Sequence, residues 1–278
     1  VGAAAAPAGG WTVLDAGANA GYASRHFAAL LPGARVVAVE AEYGNYGALR
    51  ANTASYPQVI ALHAALWGQR EQTLRLVDGN RQPEKIGREW QFMVSSEHSA
   101  AAAANRTHGG GRTDRRQPRS VTVSSLLEGL CLPRFDLIKL DCEGCEASIF
   151  DDAAELGWLG SFQYMYWEAH EDMVRGSERR MIDALQRRGI TVVVPALRDS
   201  IYFACGQAVG PEACVGACLR WRHNYTAWLP PCFPAGAPLC SVLQPGLPPP
   251  SDGLDRISRG SGLPRRTLVC PRVSRPAL

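Results

Sequence analysis

The first 67 residues alternate between short apolar runs and segments with helical spacing, and this alternation limits the possible folds more than any other feature. Apolar, partly β-branched runs occupy residues 11–17, 35–41 and 59–67. The two segments between them repeat their apolar residues at helical intervals. A strand–helix–strand–helix–strand order is typical of parallel strands joined by crossover helices. We therefore predict an α/β fold with a doubly wound, mostly parallel sheet.

The same alternation returns after residue 120 and continues to about Cys205. Four more apolar runs are predicted strands, and an amphipathic segment before the third of them is a predicted helix that ends at Gly189. We expect the last two runs to pair with each other, and we assign residues 1–205 to one domain. The four predicted strands cover residues 135–141, 163–170, 190–197 and 200–205.

Two parts of the chain lack this periodicity. Residues from about 95 to 120 combine small residues, a Gly triplet and several arginines, so we predict a mobile surface insertion within the domain. Eleven of the 19 prolines lie between Pro230 and Pro276. Proline disrupts both helices and the hydrogen-bond ladders of sheets. We therefore predict an irregular Cys/Pro-rich extension over residues 206–278.

Charge and hydropathy limit the partners that the sequence predicts. The formal net charge of +3 is too small to indicate nucleic acid or an acidic membrane surface as a partner. The sequence has no uninterrupted apolar run of the length that spans a membrane, so we predict no membrane span. Residue 1 is Val and not Met, and we therefore expect the chain to be a fragment or a processed form.

The nine cysteines are unevenly placed, with six of them between Cys205 and Cys270. An even group in a Pro-rich region favours a set of disulfides over free thiols. A zinc site is less favoured, because the C-x3-C pair of Cys214 and Cys218 has no second pair of matching spacing. Two N-x-[ST] triplets, which begin at Asn105 and Asn224, fit a secretory or lumenal route.

The turn after the first predicted strand, residues 15–21, has the sequence DAGANAG. In a doubly wound sheet, ligands bind beyond the carboxyl ends of the strands, where glycines let the backbone approach them closely. The pattern differs from the G-x-G-x-x-G of pyrophosphate binders, and an acid at Asp15 does not suit a phosphate group. It suits a partly cationic nucleotide such as S-adenosylmethionine, and Glu40 at the end of the second strand can accept both ribose hydroxyls. We therefore predict a nucleotide site at this turn.

Polar side chains also gather at the ends of two later strands. Lys139 and Asp141 share one face of a strand, and Glu143 lies just beyond its end. Glu168 and His170 share a face in the next strand. If the two strands are parallel, all five side chains meet beside the nucleotide site. Because His170 has an ordinary pKa of about 6.5, it is a suitable general base for a hydroxyl group, and we predict catalytic roles for the cluster.

The same region allows other interpretations. Two acids and His170 could hold a hard metal ion, but the hydroxyls of a sugar need the same groups, so we predict no metal. Glu146 can cap the helix that follows, because negative charge is favoured at a helix N-terminus. Cys142 and Cys145 form a C-x-x-C pair. No thioredoxin-like context surrounds this pair, so we predict no redox role for it.

Three stretches of the sequence carry motifs in a fixed order. They are VLDAGANAGY (residues 13–22), VVAVEAEYGNYGALRANT (36–53) and FDLIKLDCEGCEASIF (135–150). With the E-x-H of residues 168–170, they resemble the FkbM-type methyltransferase family, whose members are S-adenosylmethionine-dependent O-methyltransferases. The order and the spacing of the motifs match over about residues 11–195, and the third stretch is the most specific.

The resemblance implies a Rossmann-like sheet of the class I methyltransferase type, with an antiparallel last strand and acceptors such as sugar or polyketide hydroxyls. It implies active-site roles for Lys139, Asp141, Glu143 and His170. The chain departs from the family pattern at Ala41, where the family usually has Pro, and in the insertion and the C-terminal extension. The cofactor-binding roles that the resemblance implies fall on Asp15, Gly17, Ala18, Asn19, Gly21 and Glu40.

We therefore predict an S-adenosylmethionine-dependent O-methyltransferase that acts on a hydroxyl of a sugar, a glycan or another polar small molecule, with His170 or Asp141 as the base. A dinucleotide-dependent oxidoreductase is one rival, and Asp15 in the first turn argues against it. The other rival is a non-catalytic secreted or lumenal scaffold built on a methyltransferase-like core, with the Cys-rich extension as the binding part. The intact acids of the cluster argue against a decayed enzyme.

Overall fold

The structure is a computed structural model, and it describes most of the chain up to Tyr225 and three short segments beyond it. Most of the predicted insertion of residues 95–120 lies outside the described residues, and so does Asn105. No helix among the described residues is long and apolar enough to cross a membrane. The described residues are 10–31, 33–72, 74–78, 92–96, 117–151, 155–171, 173–195, 201–225, 233–234, 240–242 and 268–269.

Strands and helices alternate through the described part of the chain. The strands are β1 (Thr12–Ala16), β2 (Arg35–Glu40), β3 (Val59–Leu66), β4 (Leu74–Asp78), β5 (Phe92–Ser96), β6 (Arg119–Val121), β7 (Leu137–Leu140), β8 (Tyr164–Glu168), β9 (Thr191–Pro195), β10 (Ile201–Cys205), β11 (Phe233–Pro234), β12 (Cys240–Val242) and β13 (Leu268–Val269). The helices are α1 (Tyr22–Leu30), α2 (Tyr43–Thr53), α3 (Val123–Gly129), α4 (Glu146–Ile149), α5 (Ser177–Gln186) and α6 (Pro211–Tyr225), with a 3-10 turn at Gly157–Gly160.

Nine strands form the main sheet in the order β12-β9-β10-β8-β7-β1-β2-β3-β6. The six strands from β8 to β6 in that order run parallel to one another. Strand β10 runs antiparallel to both of its neighbours, β8 and β9. The predicted α/β class, the mostly parallel sheet and the antiparallel last strand are therefore confirmed. The direction of winding reverses at β1, whose two neighbours are β2 and β7.

The sheet is buried on both faces. Successive residues of β1 show this, because Leu14 packs into the larger apolar cluster on one face while Val13 packs into the cluster on the other. Such burial explains why the strands appear in the sequence as continuous apolar runs and not as alternating ones. Outside the main sheet, β4 and β5 form an antiparallel pair. Their buried residues Leu76 and Val94 pack near the carboxyl end of β3, which ends at Leu66.

The prediction of an irregular extension over residues 206–278 is wrong in part. Helix α6 occupies Pro211–Tyr225, and β12 joins the main sheet through an antiparallel pairing with β9. Prolines are frequent only from Pro230 onward, since none lies between Pro211 and Pro230, and a proline at the first helical position is well tolerated. A disulfide between Cys205 and Cys214 ties the end of β10 to this helix.

Candidate functional site

An open cleft lies at the carboxyl ends of β1, β2, β3 and β7. This is the place where the strand order reverses, and ligands of doubly wound sheets bind at such a point. The described residues that line the cleft are Gly17, Asn19, Val39, Glu40, Ala41, Asn45, Ala64, Ala65, Leu66, Leu76, Val94, Asp141, Cys142, Glu143 and Cys145.

The turn after β1 brings its backbone directly against the end of β7. Gly17 has a φ of 71°, and its N–H and that of Ala18 both donate to the carbonyl oxygen of Val39 at 3.0 Å. A Cβ atom at Gly17 would overlap the carbonyl oxygen of Asp141. The sequence needs glycine at this position for two reasons, the left-handed backbone and the close approach of a second chain segment.

Glu40 connects this turn to the end of β2. Its carboxylate accepts hydrogen bonds from the N–H groups of Asn19, at 2.7 Å, and of Glu42, at 2.8 Å, on different oxygens. Burial raises the pKa of Glu40 above its ordinary value, and the two backbone donors oppose that shift. Because a carboxylate has about four acceptor positions, each oxygen keeps one more lone pair for a ligand hydroxyl. Glu40 can therefore bind a pair of hydroxyl groups from the cleft.

Asp15 has a different surrounding from the one that the sequence predicted. Its side chain is fully buried, accepts a hydrogen bond from the Ser24 hydroxyl at 2.6 Å and lies 3.2 Å from the Lys139 ammonium. Gly21 is the N-cap residue of α1, and a Cβ atom there would lie 2.7 Å from Leu49. Asp15, Gly21 and Ala18 are outside the lining of the cleft, whereas Gly17, Asn19 and Glu40 belong to it. Direct cofactor contacts by the first three stay predictions.

Lys139 joins the two halves of the site. Its ammonium donates to the carbonyl oxygen of Gly17 at 3.0 Å and lies 3.3 Å from Asp141, in addition to its ion pair with Asp15. Burial by itself would lower the pKa of Lys139, but the two carboxylates raise it above its ordinary value. Lys139 is therefore a permanent cation that holds the turn after β1 against the end of β7.

The other predicted catalytic residues converge around His170. Its Nε2 atom lies 3.4 Å from a carboxylate oxygen of Glu143 and 4.0 Å from one of Asp141. Its Nδ1 atom lies 3.2 Å from Glu146, the residue that the sequence assigned to a helix cap. Glu168 lies in the same group, with a carboxylate oxygen within 4.8 Å of the nearest atoms of Asp141 and His170. The side chains at the carboxyl ends of β7 and β8 therefore lie close together, as the strand pattern predicts.

Glu146 is the residue whose position the sequence analysis did not predict. It is fully buried, and its carboxylate accepts hydrogen bonds from the N–H groups of Cys142 at 3.0 Å and Gly144 at 2.9 Å. The same carboxylate contacts His170 and so orients the imidazole ring. The close spacing of the acids in the motif could have indicated that Glu146 is a functional carboxylate. Nothing in the sequence indicates that its side chain is buried. The apolar cleft wall of Leu76 and Val94 was missed as well.

The pKa values of His170 and Glu143 differ from their ordinary values, and the sequence prediction used the ordinary value for His170. Burial by itself would lower the pKa of His170, but Glu146, Glu143 and Asp141 raise it to about 9. Burial raises the pKa of Glu143 to about 7, against the opposing charge of His170. At neutral pH His170 is therefore an imidazolium with no free lone pair for a proton. Glu143 titrates near neutral pH, and this favours Glu143 over His170 as the proton acceptor.

The raised pKa of His170 predicts a pH-dependent stability. The folded state binds the proton more tightly than the unfolded state, whose His has an ordinary pKa of 6.5. This stabilisation is complete below pH 6.5 and is lost as the pH rises through about 9. We expect the free energy of unfolding to fall by roughly 2–3 kcal/mol between neutral pH and a pH above the folded-state pKa of His170, about 9. Urea titration with EDTA present measures this change. A His170→Gln variant should lose this slope, and an equal slope in the variant would contradict the assignment.

In the part of the chain that the structure describes, two groups of side chains have the spacing of metal ligands. Asp141, Glu168 and His170 offer oxygen and nitrogen atoms within 4.8 Å of one another, a set that suits a hard divalent cation. The second group is Cys142, Cys145 and Glu146, but its two sulfur atoms are joined in a disulfide. In the first group, Asp141 is already paired with Lys139. The absence of a metal stays a prediction.

Comparisons with known proteins agree with the motifs. A family model described as the methyltransferase FkbM domain matches residues 15–190. No curated protein sequence matches the chain. Among solved structures, the chain is similar to a methyltransferase FkbM from Methylobacillus flagellatus KT, with 12% identity and a TM-score of 0.42 over 70% of this chain and 43% of that one.

Two further solved structures are similar at the same low level of identity. One is a precorrin-6y C5,15-methyltransferase from Geobacter metallireducens GS-15, with 14% identity and a TM-score of 0.37 over 70% of this chain and 80% of that one. The other is an O-methyltransferase from Bacillus cereus in complex with SAH, with 16% identity and a TM-score of 0.34 over 72% of this chain and 75% of that one. The matched family region includes both the turn at Gly17 and the cluster around His170.

Proposed function

The chain belongs to the methyltransferase FkbM family, and on that premise we propose that it transfers a methyl group from S-adenosylmethionine to a hydroxyl of a sugar, a glycan or another polar small molecule. One observation carries the proposal. A single cleft contains Glu40, which can bind a pair of hydroxyls, and Asp141 and Glu143, which can accept the proton of an attacking hydroxyl. An O-methyltransferase needs both functions side by side.

The side chains around the cleft fit S-adenosylmethionine. Glu40 keeps lone pairs for the two ribose hydroxyls, and Gly17 and Asn19 form the part of the cleft lining beside it. Ala64, Leu66 and the β4–β5 residues form an apolar wall that suits an adenine ring. Carboxylates at the opposite side suit the positive end of the molecule. When bound, the cofactor supplies an electrophilic methyl group on a cationic sulfonium.

The chain contributes proton transfer and orientation. Glu143 accepts the proton of the attacking hydroxyl, because its pKa of about 7 leaves a large share of carboxylate at neutral pH. His170 stays cationic beside it and stabilises that carboxylate, while Glu146 fixes the ring from the Nδ1 side. Lys139 holds Asp141 at the carboxyl end of β7. The second carboxylate oxygen of Asp141 can accept a hydrogen bond from the acceptor molecule there.

The charge of the site limits the acceptor. Asp141 and Glu143 both line the cleft, and Glu168 lies next to Asp141. Carboxylates accept hydrogen bonds from hydroxyl groups and repel anions. We infer that the acceptor is a neutral or cationic molecule with several hydroxyl groups, and that a phosphorylated or carboxylated acceptor is disfavoured.

Calorimetric titration of the purified protein with S-adenosylmethionine tests the proposal. We expect a dissociation constant in the micromolar range for this ligand and no heat of binding for NAD, because Asp141 and Glu143 line the cleft and repel an anionic pyrophosphate. A parallel titration in EDTA shows whether a metal contributes. No binding by a protein whose fold is verified by circular dichroism would overturn the proposal and favour the scaffold alternative.

A substitution at Glu40 tests its role in holding the ribose. We expect Glu40→Ala to weaken S-adenosylmethionine binding by about 1.5–3 kcal/mol, the range for hydrogen bonds to a charged group. Glu42→Ala is the matched control, because Glu42 caps α2 through the N–H of Asn45 and lies outside the lining of the cleft. Calorimetry on both variants separates the two effects. Equal affinity for Glu40→Ala and the wild type would remove Glu40 from the site.

A further inference from the structure

A disulfide joins Cys142 and Cys145 within the turn that follows β7. The C-x-x-C spacing alone, without a thioredoxin-like context, did not predict a redox role for this pair. The two cysteines differ in exposure, because Cys142 is partly exposed while Cys145, which also lines the cleft, is fully buried in the larger apolar cluster. A reductant can therefore reach the pair from the cleft, and the more exposed Cys142 is the sulfur that it reaches first.

The segment between the two cysteines carries residues of the proposed active site. Glu143 and Gly144 both have a left-handed backbone, with φ of 54° and 103°. The N–H groups of Cys142 and Gly144 donate to Glu146, whose carboxylate also lies 3.5 Å from the Cys142 sulfur. A shift of Cys142 therefore acts directly on the residue that orients His170.

Breaking the bond must move one of the two residues. Bonded sulfurs are about 2 Å apart, whereas nonbonded heavy atoms in contact are about 3.5–4 Å apart. Cys145 is fully buried in the core at the start of α4. Cys142 is partly exposed at the border of the open cleft and is the less tightly packed of the two. The displacement on reduction therefore falls on Cys142 and on Glu143 next to it, toward the space that the cofactor would occupy.

We propose that Cys142 and Cys145 form a thiol–disulfide exchange site whose oxidised state holds the cleft ready for its cofactor and whose reduction weakens cofactor binding. The proposal concerns regulation of the site assigned above and rests on that assignment for its effect on S-adenosylmethionine. The partner is a dithiol, either a small molecule or an exposed dithiol of a protein.

The exchange proceeds in two balanced steps. A thiolate of the dithiol attacks the Cys142 sulfur, the bond to Cys145 breaks, and Cys145 leaves as a thiolate that takes a proton. The second thiol of the reductant then attacks the mixed disulfide and releases Cys142 as a thiol. The reductant supplies two electrons and ends as a disulfide, and the reverse reaction restores the pair.

Another disulfide among the described residues, Cys205–Cys214, provides an internal control. Cys205 ends β10, which runs antiparallel to β8 and places Cys205 opposite Tyr164 at the start of that strand. The Cys205–Cys214 bond therefore lies at the edge of the sheet that is opposite the cleft. Both of its cysteines are fully buried, so it should resist a reductant that reaches Cys142. Cys131 is exposed and free, and Cys131→Ser removes its thiol from the measurement.

The experiment uses the full chain with Cys131→Ser, folded and in EDTA, equilibrated over a series of ratios of reduced to oxidised dithiothreitol. Alkylation and mass spectrometry then map the free thiols, and calorimetry measures S-adenosylmethionine affinity at each ratio. We expect Cys142 and Cys145 to become alkylated before Cys205 and Cys214. The affinity for S-adenosylmethionine should fall at least about tenfold as Cys142 and Cys145 are reduced, and it should return on reoxidation. A Cys145→Ala variant should bind weakly at every ratio.

Amide hydrogen exchange of residues 142–146 gives a readout that does not need the cofactor. Reduction should speed exchange at Cys142 and Gly144, because the shift of residues 142–144 weakens their hydrogen bonds to Glu146. Faster exchange without any binding of S-adenosylmethionine in either state would support the redox site and overturn the proposed function. Full reduction of the pair with unchanged exchange and unchanged affinity would overturn the redox proposal alone, and so would reduction of Cys205–Cys214 first.

Discussion

Replacing Lys139 by Met is expected to lower the free energy of unfolding by about 3–5 kcal/mol, the cost of leaving a buried charge without its partner. Asp15 is fully buried. Among the described residues, its one ion pair is with the Lys139 ammonium at 3.2 Å. Met has nearly the volume of Lys but carries no charge. The substitution therefore tests charge compensation with little change in packing, and urea denaturation measures the result.

A double variant separates charge from packing. Asp15→Asn combined with Lys139→Met removes both charges, and it should recover a large part of the loss that Lys139→Met shows alone. Arg70→Met is a control for an exposed ion pair, because Arg70 binds Glu128 and Glu155 on the surface. Exposed pairs contribute little, so this control should change stability much less. An effect of Lys139→Met no larger than that of Arg70→Met would contradict the buried-pair assignment.

The alternation of apolar runs was enough to predict the sheet. Parallel order, the crossover helices and the carboxyl-edge position of Asp141 and His170 all follow from the strand pattern and the known geometry of doubly wound sheets. Gly17 was predictable too, since a glycine at the first turn permits a left-handed backbone. These features depend on local periodicity and on short connections, and a single sequence carries both.

Other features depend on contacts between distant segments, and local patterns do not encode such contacts. Glu146 looks like a helix cap in the sequence, and only the packing of β8 beside β7 brings His170 to its carboxylate. The bond between Cys142 and Cys145 depends on the turn that Glu143 and Gly144 make in a left-handed conformation. Helix α6 was missed because the prolines between Pro230 and Pro276 were taken as typical of the whole extension from residue 206.

The identity of the base gives the second large prediction. If Glu143 accepts the proton of the attacking hydroxyl, Glu143→Gln should lower kcat by about 10²–10⁴-fold, the usual contribution of a positioned general base. The amide is close in size and cannot take the proton. S-adenosylmethionine binding, measured by calorimetry, should change much less. The rates are measured with a hydroxylated acceptor found by screening, in EDTA, with Glu128→Gln on the distant surface of α3 as the control.

The pH dependence of kcat/KM distinguishes Glu143 from His170 as the base. With Glu143 as the base and His170 as its cationic partner, the rate rises through about pH 7 and falls again through about pH 9, because the reactive form has Glu143 ionised and His170 protonated. With His170 as the base, the rate instead rises through about pH 9 and shows no fall there. Because the charge of His170 lowers the pKa of Glu143, removing it in His170→Gln should move the rising limb to higher pH. A rising limb that stays in place would exclude the coupling between the two side chains.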